Sequence, residues 1–141
     1  MAATLTHLAL HVVDMGASVD FYQRYCGMRV IHQRDEGKIQ WLAEPGRETE
    51  MIFVLMGGGT PVVHNEPDYA HMGFALESHE AVDRLAAQAE AEGILIWPPR
   101  EDPYPVGYYC GIKDPSGNYV EFSYGQPLGP GAEEADRLRD H

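Results

Sequence analysis

The sequence predicts an α+β fold: two βαβββ modules whose curved mixed sheets stand side by side, half-barrel fashion, and enclose a cleft. Three observations carry this prediction. The order strand, helix and three further strands reads twice along the 141 residues. Each helix is bracketed by a capping residue and a glycine, and a histidine stands at the same place in the first strand of each half.

The first module covers about residues 4–56. "TLTHLALHVV" (4–13) is rich in β-branched and leucine residues with no helical stripe, so it reads as a strand. "DMGASVDFYQRYC" (14–26) opens on Asp14 as N-cap, spaces Val19, Tyr22 and Cys26 along a helix face, and stops at Gly27. "MRVIHQRD", "KIQWLAEP" and "EMIFVLM" follow as short strands, parted by "EG" and the turn-rich "PGRET". "GGGTPVVHNEPD" (57–68) is a loop, its three glycines reading as a flexible link because no GK[ST] follows to make a phosphate loop.

The second module, about 69–125, repeats the order. "YAHMGFALE" is a strand, "SHEAVDRLAAQAEAEG" a helix capped by Ser78 and stopped by Gly93, and "ILIWPPR", "GYYCGIKD" and "NYVEFSYG" are strands. Thr6-His7-Leu8 falls on Ala70-His71-Met72, and "AEPGRETEMIFV" on "KDPSGNYVEF". Residues 1–125 thus form one domain, and 126–141 a polar C-terminal tail with a charged helical segment of about two turns, expected to be peripheral.

Ten Lys plus Arg against 22 Asp plus Glu give a net charge of −12. So acidic a chain repels phosphate backbones and anionic lipid, which argues against nucleic-acid and membrane-surface partners. No apolar run of about 18 residues is present to span a bilayer, and the start lacks a secretory pattern. The expectation is a cytoplasmic protein with a small-molecule substrate. Its two cysteines, Cys26 and Cys110, have no CxxC spacing and read as buried thiols.

Strand alternation turns His7 and Ala9 to one face, and His71 and Gly73 to the equivalent face of the second module. In "NYVEFSY", Val120 and Phe122 face the helix-side core, which leaves Glu121 on the opposite face. A carboxylate in the middle of a central strand is costly to desolvate unless it is paired, protonated or bound to a cation. A lone strand histidine is more often packed or solvated than functional. Two imidazoles and a carboxylate at repeated positions nevertheless make His7, His71 and Glu121 the candidate ligands of one divalent metal with open positions.

The chain resembles the vicinal oxygen chelate superfamily, which includes glyoxalase I, type I extradiol dioxygenases, fosfomycin resistance proteins and bleomycin resistance proteins. The resemblance rests on "THLALHVVDMGASVDFYQRYCGMRV", "AHMGFALE" with its following helix, and "KDPSGNYVEF", and it covers about residues 4–125. It implies metal positions at His7, His71, Glu121 and the end of the fourth strand. Aligning "EMIFVL" on "NYVEFS" puts Phe53 at that last position, where glyoxalase I uses a glutamate. Glu50 is near but three residues away, the wrong parity for Phe53's face, and stays a weak fourth candidate.

The remaining 2-His-1-Glu set implies Fe(II) for oxygen chemistry, or Mn(II), Zn(II) or Ni(II) for polarising an oxyanion. The tyrosine those enzymes carry three residues before the "DP" turn is Gly111 here, and Tyr109, on the same strand face, could supply the phenol. His11 shares His7's strand face but lies ~13 Å along it at ~3.3 Å per residue, so it is an acid/base candidate and not a ligand of the same ion. Trp41, Phe53 and Tyr108 or Tyr109 are expected to line the cleft. The implied protein is a homodimeric glyoxalase- or dioxygenase-like metalloenzyme. The alternative is a metal-free, bleomycin-resistance-like binder of a cationic molecule, which the acidic charge suits.

Overall fold

The computed structural model describes residues 1–128 and 130–139. They divide into two compact units, Met1–Asp68 with Asp114–Asn118, and Tyr69–Lys113 with the residues from Tyr119 onward. The fold is α+β, each unit carrying one four-stranded mixed sheet that stays open.

In unit 1 the elements are β1 (His7–His11), α1 (Met15–Cys26), β2 (Arg29–Arg34), β3 (Ile39–Ala43) and β4 (Ile52–Met56), in sheet order β1-β4-β3-β2. The β1–β4 pair is parallel and the other two are antiparallel. Asp14 caps α1 by accepting from the Ala17 N–H at 3.0 Å, and Gly27 ends it at φ 67°, a left-handed conformation that glycine adopts without Cβ strain. Phe21, Tyr22 and Tyr25 of α1 are buried, as are Leu42, Phe53 and Leu55 of the sheet. The Tyr22 and Phe53 rings meet edge-on at 5.8 Å. A short 3₁₀ turn at Asp35–Gly37, with no strong sequence signal, joins β2 to β3.

The "DPSGN" turn completes unit 1. Asp114, 3% exposed, accepts from the Tyr22 hydroxyl at 2.7 Å, from the Ser116 and Asn118 backbone N–H groups, each at 2.9 Å, and from the Asn118 side chain at 3.0 Å. This turn is a tied structural corner. It also holds the glycine-rich segment: the Val62 N–H donates to the Ser116 carbonyl at 2.8 Å. Residues 57–59 are therefore not a free link, because the Gly57 N–H bonds the Lys38 carbonyl and the Gly59 N–H the Val12 carbonyl. A Cβ at Gly59 would lie 2.8 Å from that of His11, so glycine here serves close packing.

In unit 2 the elements are β5 (Met72–Ala75), α2 (His79–Ala91), β6 (Leu95–Asp102), β7 (Gly107–Lys113), β8 (Tyr119–Tyr124) and α3 (Pro130–Arg139), in sheet order β5-β8-β7-β6. Ser78 caps α2 through the Ala81 N–H. Val82, Ala86 and Ala89 of α2 are buried, as are Cys110, Ile112, Val120 and Phe122 of the sheet. β6 runs through Pro98 and Pro99 because it is an edge strand with two register irregularities, where missing donors are tolerated. The tail forms α3, a helix of 10 residues, longer than the two turns the sequence suggests. Both cysteines are free, and no helix among the described residues is long and apolar enough to cross a membrane.

Candidate functional site

The β8 strand places Val120 and Phe122, both fully buried, toward α2, and so turns Glu121 to the opposite face. That face forms a cavity of about 570 Å³ in unit 2, lined by His71, Trp97, Tyr109, Glu121 and Gln126 among others. Glu121 is 7% exposed, and its nearest polar partners are the Gln126 amide at 3.4 Å and His71 Nε2 at 3.8 Å. Gly73, its partner across the parallel β5–β8 pair, leaves the carboxylate room.

His71 lies just before β5 and not within the strand the sequence predicts. Its ring is set instead by Nδ1, 2.5 Å from the Tyr69 carbonyl oxygen. A carbonyl only accepts, so Nδ1 carries a proton, and Nε2 is the ring nitrogen nearer Glu121. The Trp97 ring meets the imidazole edge-on at 5.6 Å and 88°.

His7 belongs to unit 1, where it lines a cavity of about 410 Å³ with Ala9, Arg34, Trp41 and Val54. His11 lines a different cavity of unit 1, beside Gly58 and Gly59. Among the described residues no group of three or more His, Cys, Asp or Glu side chains is gathered as a metal would need; the pair brought together is His71 and Glu121.

The strand ladders correct the fourth-position alignment. Ala9 pairs with Val54 as Gly73 pairs with Glu121, so Val54, not Phe53, is the counterpart of Glu121. Phe53 is buried and packs into the core against Tyr22. Glu50 does share Val54's parity, but it lies before β4 in a turn and is engaged by Arg47 at 2.8 Å. Either way the fourth position is apolar. Of the other aromatics, Trp41 and Tyr109 line the cavities of His7 and of Glu121; Tyr108 lines a separate one, where its hydroxyl bonds Asp83 of α2 and its ring meets His79.

Tyr109 is held by a short chain of polar contacts. Its hydroxyl donates to Asp102 at 2.8 Å, and Asp102 in turn accepts from Arg100 at 2.6 and 2.9 Å. Desolvation, and then this bond, raise the Tyr109 phenol above its ordinary value; the same bond and Arg100 lower Asp102. Tyr109 thus stays a neutral hydrogen-bond donor where a free tyrosine, with pKa about 10, begins to ionise. Above that pH the folded protein keeps a proton the unfolded chain has released, so stability falls as pH rises toward the folded value. Asp102→Asn should lower the Tyr109 titration, read from its ring carbon resonance; an unchanged titration would remove the relay from the account. Arg100, Asp102, Trp97 and Gln126 were not readable as site residues: strand pairing brings the first three to the cavity of Glu121, and the turn after β8 brings Gln126 back to it.

Comparison with known proteins follows the same outline. The family model described as the Glyoxalase/Bleomycin resistance protein/Dioxygenase superfamily matches residues 4–122. The uncharacterized protein PA2024 of Pseudomonas aeruginosa is 62% identical over 135 residues, covering 94% of this chain and 96% of that one. A possible glyoxalase from Bacillus cereus is similar in structure, with a TM-score of 0.67 at 26% identity over 86% of this chain and 99% of that one. A mutant of the fosfomycin resistance protein FosX from Listeria monocytogenes, complexed with Mn(II) and 1S,2S-dihydroxypropylphosphonic acid, has a TM-score of 0.70 at 21% identity, covering 89% and 95%. With two βαβββ modules and a family match that runs from residue 4 to residue 122, this chain belongs to the Glyoxalase/Bleomycin resistance protein/Dioxygenase superfamily.

Proposed function

We propose that the protein is a metal-dependent, glyoxalase- or dioxygenase-like enzyme that binds a small substrate through vicinal oxygens, with His71, Glu121 and His7 holding one divalent ion, Fe, Mn, Zn or Ni. The observation that carries this is the spacing of His71 Nε2 and Glu121 Oε2, 3.8 Å apart. That is too long for a hydrogen bond between them, yet two ligand atoms on one ion stand up to about 4.2 Å apart. Glu121 is buried with a single distant amide donor, and the bond from His71 Nδ1 to Tyr69 frees Nε2 to ligate, so the donors present fit a divalent cation.

When bound, such an ion polarises a chelated oxygen or, as Fe(II), supports oxygen chemistry. The protein's own part is acid–base and steric. Of the two proton-handling candidates, Tyr109 and His11, only Tyr109 lines the cavity of His71 and Glu121, and its phenol donates to or steadies a substrate oxygen there. Trp97, Ile96, Pro98 and Val106 give that cavity an apolar wall. The FosX neighbour, crystallised with Mn(II) and a dihydroxypropylphosphonic acid, supports the pairing of a divalent ion with vicinal oxygens in this fold and leaves the body of this chain's ligand open. The working form is a homodimer, with His7 supplied by the same chain or by a second copy.

Elemental analysis of tag-free protein tests this reading, with wild type beside His71→Ala and His7→Ala. About one divalent ion per chain, lost in both variants, is the expected result. No ion in wild type after anaerobic reconstitution with each metal would sink the enzyme reading and favour the metal-free binder.

A further inference from the structure

The reading of the unit 2 cavity as the substrate site leaves open what kind of substrate body it admits, and one close contact answers that. Trp97 of β6 pairs with Gly111 of β7. A Cβ built on Gly111 would stand 2.1 Å from Cε3 and 2.6 Å from Cδ2 of the indole. No real Cβ tolerates such distances, so the Trp97 ring lies directly on the Gly111 backbone, and glycine is the one residue that permits this seat. The seated indole then meets the rings of His71 at 5.6 Å and Tyr119 at 5.4 Å, with Tyr69 at 6.3 Å.

The result is a fixed aromatic wall beside the proposed metal ligands, continued by Ile96, Pro98 and Val106. The charges of the cavity complement that wall. Arg100, its one guanidinium, is engaged by Asp102 at 2.6 Å, while Glu121 and Asp102 are both acidic. An anionic ligand finds no unpaired arginine or lysine among the lining residues. The cavity, about 570 Å³, falls in the ordinary range for small-molecule pockets.

We propose that Trp97, seated on Gly111, is the specificity-determining wall of this cavity, selecting a flat, unsaturated and uncharged ligand body over a saturated or anionic one. The proposal rests on the cavity being the substrate site, and its test needs no metal. With EDTA present, 2-naphthol, decahydro-2-naphthol and phenylphosphonate are titrated against ¹⁵N-labelled protein; the backbone amides of Tyr109, Gly111 and Glu121 are followed in every variant, and in wild type also the indole N–H of Trp97, assigned with Trp97→Phe.

Saturable shifts of Trp97 by 2-naphthol, about tenfold tighter than by either other probe, are expected from aromatic stacking. Trp97→Ala should remove that preference, and Trp97→Phe should keep part of it. Gly111→Ala should weaken 2-naphthol binding in the presence of Trp97 and have little effect in the Trp97→Ala background, where nothing is left to clash. Equal affinity for flat and saturated probes, preferred binding of phenylphosphonate, or an undiminished preference in folded Trp97→Ala would each overturn the proposal. If Gly111→Ala fails to fold, the two Trp97 variants still decide it. A protein that never holds metal but discriminates these probes would defeat the enzyme reading and leave the wall standing.

Discussion

In EDTA, Glu121→Gln should unfold at a higher temperature than wild type, and with a saturating divalent ion the order should reverse. Glu121 is a buried carboxylate whose nearest polar partners stand at 3.4 and 3.8 Å, too far to compensate the loss of water. Exchanging that charge for an amide of the same shape relieves the metal-free protein by about 1 kcal/mol or more. The bound ion works the other way, since a ligand present at about 100 times its Kd adds about 2.7 kcal/mol to the state that binds it. For a chain of this size each kcal/mol moves the midpoint by roughly 2–4 °C. Thermal melts of both proteins, with and without Mn(II), read the crossing directly. A variant less stable than wild type in both conditions would make Glu121 an ordinary structural residue.

Asp114→Ala carries the largest expected loss of stability. The Asp114 side chain accepts four hydrogen bonds while almost wholly buried. Removing it leaves the Tyr22 hydroxyl and two backbone N–H groups without acceptors, and each such orphan costs about 1–3 kcal/mol. The total should be about 3 kcal/mol or more, read as a lower urea midpoint at unchanged m-value. Asp114→Asn should cost less, because the amide oxygen still serves the backbone donors. Neither change touches the cavity of His71 and Glu121, so metal binding by the remaining folded protein should persist.

What the sequence disclosed about the fold was local or periodic. Asp14 and Ser78 were readable as caps because an N-cap is satisfied within three residues of itself. Glu121 was legible as an odd carboxylate because its neighbours Val120 and Phe122 fix the strand's parity. The errors arose where pairing between strands decides. One residue in the turn before β4 exchanges Val54 for Phe53 at the position equivalent to Glu121, and a sequence cannot count that turn. His71 has a strand-like context, yet the ladder begins one residue later and a carbonyl fixes its ring instead. The glycines at 57–59 have the composition of a linker, but the close approach of Gly59 to His11 and Val12 at the end of β1 is visible only in three dimensions.

Gly111 illustrates the same limit from the side of function. In the sequence it is a missing tyrosine; in the structure it is the seat of Trp97, a residue from the adjacent strand. The site is consequently built from one element at a time, with β8 giving the carboxylate, the approach to β5 giving the imidazole, β7 the phenol and β6 the aromatic wall.

The central claim is that His71 and Glu121 share a metal ion. Crystals grown with Mn(II) and measured for anomalous scattering test it most directly. The account predicts a manganese peak bonded to His71 Nε2 and to the Glu121 carboxylate. Manganese found elsewhere, with those two groups bare, would contradict it.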